Sequence, residues 1–170
     1  MVKTSEQMKD LVEDFIKITN INYEDQTKKV REQSQIIEWQ FHIGTNVIVS
    51  KNANRADRIH VNVNMRFPPD DVKLLVIKNP SFSKAVMAIS EICTICNVGH
   101  QWIKDKEDIV GLAIFTHIDE EILNRVSFHN AWDNVSRVSA HVQKILRANF
   151  SNFSSQSNVS DGTLDKSMYG

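Results

Sequence analysis

Ile59-His60-Val61-Asn62-Val63-Asn64-Met65-Arg66-Phe67 alternates apolar and polar side chains without a break. Successive residues of a strand point to opposite faces, so Ile59, Val61, Val63, Met65 and Phe67 share a side that needs a core. His60, Asn62, Asn64 and Arg66 share the other side, which stays in water or meets a partner. An earlier stretch repeats the pattern, with Ile37, Trp39, Phe41 and Ile43 facing one way and Glu38, Gln40 and His42 the other. Residues 109–115 are apolar throughout instead, which predicts a strand covered on both sides. The contrast points to one sheet with wet early strands and a buried late one.

Working outward, Gly44-Thr45-Asn46 reverses the chain into a short strand at residues 47–50, and residues 51–57 read as a polar turn before the third strand. Pro68-Pro69 ends that strand, because proline has no amide to donate, and residues 70–77 can form a short helix. Ser81 caps the next helix, residues 82–97, which is apolar nearly all round and so needs cover on more than one side. Val98-Gly99 closes it, and residues 100–104 and 109–117 form a second hairpin about the turn 105–108.

The two ends of the domain are helical. Thr4 and Gln7 have the spacing of a capping box, and Met8, Leu11, Val12, Phe15 and Ile16 recur at helical spacing over residues 5–19. From about Asn124, the positions Phe128, Ala131, Trp132, Val135, Val138, Ser139, Val142, Ile145 and Leu146 line one face of a long helix. Residues 20–34 are polar and mixed, with Val30 as the main apolar anchor, and read as an irregular connection or a weak edge strand. Residues 151–170 are too poor in apolar side chains to fold alone and are expected to be a disordered Ser/Asn-rich tail behind a single α+β domain at 1–150.

With 170 residues, 41% of them hydrophobic, the chain is long enough for one proper core. Its 20 basic and 21 acidic residues leave a net charge of −1, which carries no footprint of nucleic-acid binding. The amino terminus is polar and no apolar run reaches membrane length, so the expectation is a cytoplasmic protein without a membrane role. Asn-x-Ser triplets begin at Asn134, Asn149, Asn152 and Asn158, and without a secretory signal they carry no weight as glycosylation sites.

The order helix, three antiparallel strands, helix, two strands, long helix resembles the type III secretion chaperone-like superfamily, including its sensory-transduction-regulator relatives and uncharacterised archaeal members. The echoes are Trp39-Gln40-Phe41-His42-Ile43, Asn46-Val47-Ile48-Val49, Asp57-Arg58-Ile59-His60-Val61, Val110-Gly111-Leu112-Ala113-Ile114 and Phe128-His129-Asn130-Ala131-Trp132. They are matches of pattern over residues 6–146, and none is a catalytic signature. The resemblance implies an antiparallel sheet with helices packed on one face, and a homodimer that binds other proteins as a chaperone or adaptor. It also implies a dimer contact built by the central helix and a neighbouring strand, here Phe82, Val86, Ile89, Ile92, Leu112 and Ile114. The balanced charge of this chain departs from the acidic character of many of those chaperones.

Chemistry-bearing clusters are few. Cys93 and Cys96, three apart on a helix with His100 following, could bring two sulfurs to one metal or one disulfide, but a closed zinc site needs four ligands and a redox pair belongs at a helix start. Buried, reduced and metal-free cysteines are the expectation, with no cofactor. His42, His60, Asn62, Asn64 and Arg66 share the polar sheet face and form the candidate binding face, for a partner or a small ligand. Trp39 and Trp132 fall on apolar stripes and read as core, whereas Trp102 is the tryptophan expected to be exposed. Asp119-Glu120-Glu121 suits the positive end of the last helix as a cap. Ser127, Ser136 and Ser139 have no nucleophile-elbow context. The leading reading is thus a non-enzymatic, dimeric protein-binding module. The alternatives are a small ligand-binding or regulatory domain on the polar face, and an enzyme using Cys93, Cys96 and His100.

Overall fold

The computed structural model describes residues 3–44, 46–55, 57–75, 79–150 and 153. In chain order its elements are α1 (Ser5–Ile18), β1 (Tyr23–Asp25), α2 (Thr27–Gln33), β2 (Ile37–Ile43), β3 (Val47–Asn52), β4 (Arg58–Arg66), α3 (Pro69–Val72), α4 (Pro80–Ile95), β5 (Gly99–Asp105), β6 (Asp108–Asp119) and α5 (Arg125–Asn149). The strands form one antiparallel sheet in the order β1-β2-β3-β4-β6-β5. The alternating stretch is therefore a central strand, paired with β3 on one side and β6 on the other.

Its odd-numbered residues meet the helices. Ile59, Val61, Val63 and Met65 are 2% exposed or less and share a core with Trp39, Phe41, Val49, Leu112 and Ile114 of the sheet. α1 supplies Met8, Val12 and Ile16 to that core, α4 supplies Phe82, Ala85, Ile89 and Cys93, and α5 supplies Phe128, Val135, Val138, Val142 and Leu146. Each fully buried side chain of this kind contributes about 1.5–3 kcal/mol by leaving water. All three helices lie on one face of the sheet, α5 centrally over β4 and β6, α1 over β2 and α4 over β5. The helix ends are satisfied as the sequence predicts for α1, where Thr4 and Gln7 form a capping box.

Several sequence-based expectations are corrected by packing. Residues 20–34 hold the edge strand β1 and also a helix, α2, which abuts β2 with Thr27 and Val30 as its buried positions. Ile37 does not face the way Trp39 does: Ile37 pairs with Asn52 and Trp39 with Lys51, with a register shift between them. Cross-strand partners share a face, so this bulge sends Ile37 to the opposite side of the sheet, outside the main core. Lys51 and Asn52, read as the start of a turn, end β3 at 2% and 1% exposure. The Lys51 ammonium lies on the helical side, 3.9 Å from the Glu38 carboxylate, which also accepts from Ser5 Oγ.

α4 is apolar on its outer side as well as its inner one, and a single chain covers only the inner side. Phe82, Ala85, Ile89 and Cys93 are buried, while Met87 and Ile95 are 73% and 71% exposed. Asn124, not the acidic run, caps α5 by accepting from the amides of Val126 and Ser127. Asp119 instead lies 3.5 Å from Arg58, and Glu120 accepts from the Lys3 amide. The short helix after Pro68 is limited to Pro69–Val72, and residues 76 and 77 of the stretch expected there lie outside the described residues. Thr45 of the expected turn and the tail 151–170 also lie outside them, apart from Phe153, whose ring stands 5.4 Å from Phe67 and 6.1 Å from Phe150. Among the described residues no helix is long and apolar enough to cross a membrane.

Candidate docking face

The even-numbered residues of β4 point away from the helices, and the registers extend that side across the sheet. Gln40, Ser50, His60 and His117 are successive cross-strand partners on β2, β3, β4 and β6. The next row runs Glu24, His42, Ile48, Asn62, Phe115 and Gly99 from β1 to β5. Asn64 opposite Ala113, and Arg66 opposite Gly111, continue it toward Phe67. Among the described residues no helix packs over the middle of this face, so the sheet is covered on one side and bare on the other. The five residues of the candidate binding face, His42, His60, Asn62, Asn64 and Arg66, all lie on it.

The bare face is drier than a surface of this composition ordinarily is. Gln40 is 1% exposed, Ser50 2%, Asn62 3% and Ile48 5%, although His42, His60, Asn64, Arg66 and Phe115 are only half-buried and His117 is exposed. Local hydrogen bonds tie them down: the Gln40 amide nitrogen lies 2.7 Å from His42 Nε2, and Asn62 Nδ2 donates to Asn64 Oδ1 over 3.2 Å. Two atoms of nearly buried residues have no hydrogen-bond partner, the acceptor Gln40 Oε1 and the donor Asn52 Nδ2. Such groups are uncommon in folded proteins, and a buried polar atom left unsatisfied costs about 1–3 kcal/mol.

Burial also sets the charge state. The His60 imidazole is held down from 6.5 to about 4, first by burial and then by repulsion from His117, Arg58 and Arg55, with Asp57 opposing. The middle of the face therefore carries no formal charge near neutral pH at His60, and its amide and hydroxyl neighbours Gln40, Ser50, Asn62 and Asn64 have none to carry. Charged side chains stand at the margins: Glu24 on β1, Arg66 toward the end of β4, and Arg58 with Asp57 at 3.2 Å and Asp119 at 3.5 Å. At the β5 margin Phe115 lies over Gly99, where an added Cβ would fall 2.6 Å from the ring, so any larger residue there requires the ring to move. A cavity of about 330 Å³ opens at the opposite corner, lined by Tyr23, Glu24, His42, Asn46 and Ile48 among others.

The other candidates do not converge. Cys93 is buried on the inner side of α4, and burial, with Cys96 nearby, pushes its thiol up to about 11, away from the thiolate that nucleophiles and metal ligands need. His100 lies 3.4 Å from Ser90 Oγ of α4, on the side of β5 that faces the helices, and its imidazole is shifted down by burial. Among the described residues no three His, Cys, Asp or Glu side chains converge as metal ligands. Of the side chains expected at a dimer contact, Phe82, Ile89, Leu112 and Ile114 are taken up by the chain's own core, and only Val86 and Ile92 are half-buried. Trp102, expected to be exposed, is half-buried against Phe82, with ring centroids 5.3 Å apart.

Sequence reasoning missed Ser50, Asn52 and His117 as members of the bare face. Ser50 and Asn52 follow Ile48 at alternate positions, a signal obscured once Lys51 is taken for a turn residue. The pairing of His117 with His60 depends on the β4–β6 register, which no local pattern encodes.

No family model and no curated protein matches this sequence. Among solved structures, the crystal structure of an uncharacterised protein from Methanothermobacter thermautotrophicus is similar, with a TM-score of 0.67 at 9% identity, covering 84% of this chain and 98% of that one. At that identity the likeness is one of fold.

Proposed function

We propose that this chain is a non-enzymatic binding module whose working surface is the bare face of its sheet. The observation that carries the reading is the asymmetry of the sheet: three helices cover one side, and the other combines a dry, uncharged floor with two unpartnered buried polar atoms. Macromolecular interfaces keep charged residues from the centre and gather them at the margin, and this face has the same arrangement. No acid–base pair, nucleophile with its base, or phosphate-binding loop accompanies it in the sequence, which favours binding over catalysis. The chaperone-like or adaptor-like role implied by the resemblance is compatible with such a surface.

A second reading, a small-ligand or regulatory domain, draws on the corner cavity of about 330 Å³ beside His42. That volume falls at the lower end of the range for small-molecule sites. The two readings separate by experiment. Protein purified from its native lysate with and without Asn64→Asp and His117→Asp should lose a co-purifying protein partner when the face is altered, with the melting temperature unchanged. Identical partner recovery from both would contradict the face as a protein-docking surface. Retention of a small molecule that is lost on His42→Ala would support the second reading.

A further inference from the structure

We propose that the occupant of the bare face is a second copy of this chain, docked sheet against sheet; the inference rests on reading that face as a docking surface and names its partner. Two-layer domains joined in this way form a four-layer assembly, helices outside and two sheets inside, with the sheets about 10 Å apart. The interface differs from the one implied by the resemblance, whose side chains Phe82, Ile89, Leu112 and Ile114 are spent on the chain's own core.

Charge is the first argument. In a twofold interface each residue near the axis meets its own copy, so a charge at the centre repels itself, whereas a neutral side chain does not. The central rows Gln40, Ser50, His60 and His42, Ile48, Asn62, Phe115 contain no Asp, Glu, Lys or Arg. Glu24, Arg58, Asp119 and Arg66 stand toward the margins. Desolvation is the second argument. Covering polar groups ordinarily costs their hydration, but Gln40, Ser50 and Asn62 have already lost nearly all water contact within one chain. Docking therefore adds little to that cost.

Area is the third. Six strands about 4.8 Å apart, averaging about seven residues at about 3.3 Å each, present roughly 550 Å² in projection, so two copies cover roughly 1,100 Å², above the threshold of about 1,000 Å² for a specific interface.

Sedimentation equilibrium of the intact chain from about 1 to about 100 µM tests the proposal, with Asn64→Asp and His117→Asp on the face and Met87→Asp and Ile95→Asp on the exposed side of α4 as controls. Asn64→Asp keeps the acceptor used by Asn62 Nδ2, and His117 is exposed, so both face variants should melt like the parent. The expected result is a dimer that each face change weakens about tenfold or more and that the α4 changes leave intact. A parent chain that is monomeric throughout, or a dimer dissolved by the α4 changes and not by the face changes, overturns the second copy as occupant. A monomeric parent that nevertheless loses a lysate partner on Asn64→Asp overturns the second copy alone, and one that loses nothing overturns the docking face as well.

Discussion

Val63 and Asn64 are neighbours in β4 and face opposite sides of the same sheet, and the two sides reach dryness by different means. Beneath the helices, water is excluded by a second layer: Val61 and Val63 meet α5, and the apolar volume is closed from above. On the bare side none of the three core-forming helices does this among the described residues, yet Gln40, Ser50 and Asn62 are 1–3% exposed beside the half-buried His42, His60, Asn64 and Arg66. Burial on the first side marks a core. On the second it is the feature on which the proposed docking surface rests, because its groups lack the dense apolar contacts that make a core self-sufficient.

The sharpest way to break this contrast is to place the same charge at both positions. Val63→Asp puts an unpaired carboxylate under α5 and is expected to cost about 4 kcal/mol or more, enough to unfold the domain in a thermal or urea melt followed by circular dichroism. Asn64→Asp, one residue on, should leave the melt near that of the parent. If both unfold the chain, the bare face is a core in its own right.

A smaller effect is expected from acid. The folded His60 is held near 4 while the unfolded side chain titrates near 6.5, so between those values the unfolded state binds more protons and stability falls as pH is lowered. After allowance for partial exposure, the loss from pH 7 to pH 4.5 attributable to this residue is about 1–2 kcal/mol. Urea melts at the two pH values should show it in the parent and less of it in His60→Gln. An equal pH dependence in both proteins would show that His60 is solvated in the folded state.

Asn62→Ala should cost about 1 kcal/mol, since a nearly buried amide and its bond to Asn64 are lost. This is more than the alternating pattern alone suggests for an outward-facing position. Arg66→Ala, at the half-buried margin, should stay within about 0.5 kcal/mol of the parent. A reversal of that order in chemical denaturation would place the dry floor elsewhere on the sheet.

Much of the architecture was legible because it follows from local periodicity. The alternation of residues 59–67 foretold the inward and outward sets of β4, and the apolar stripe from Phe128 to Leu146 foretold α5. α2 carries little local signal because only Thr27 and Val30 of its residues are buried and its N-cap residue, Gln26, makes no capping bond, the Thr27 amide donating to Asp25 instead. The bulge at Ile37 escaped because a register shift leaves an alternating sequence looking regular. The run at 109–115 suggested a second layer over β6, yet its bare side holds only Gly111, Ala113 and Phe115, and a glycine and an alanine are covered by neighbouring side chains. The five residues of the candidate face were legible from parity alone. Its dryness was not, because burial depends on which residues the registers bring together across four strands.

His117 on the bare face and His141 on α5 are both exposed in the single chain. Their imidazole proton signals in the presence of a water-soluble paramagnetic chelate, recorded on dilute and on concentrated protein, therefore compare the two sides of the molecule directly. A docking face between copies requires the chelate to broaden both signals at low concentration and to spare His117 alone as the protein is concentrated. Equal broadening of His117 and His141 at every concentration would contradict it.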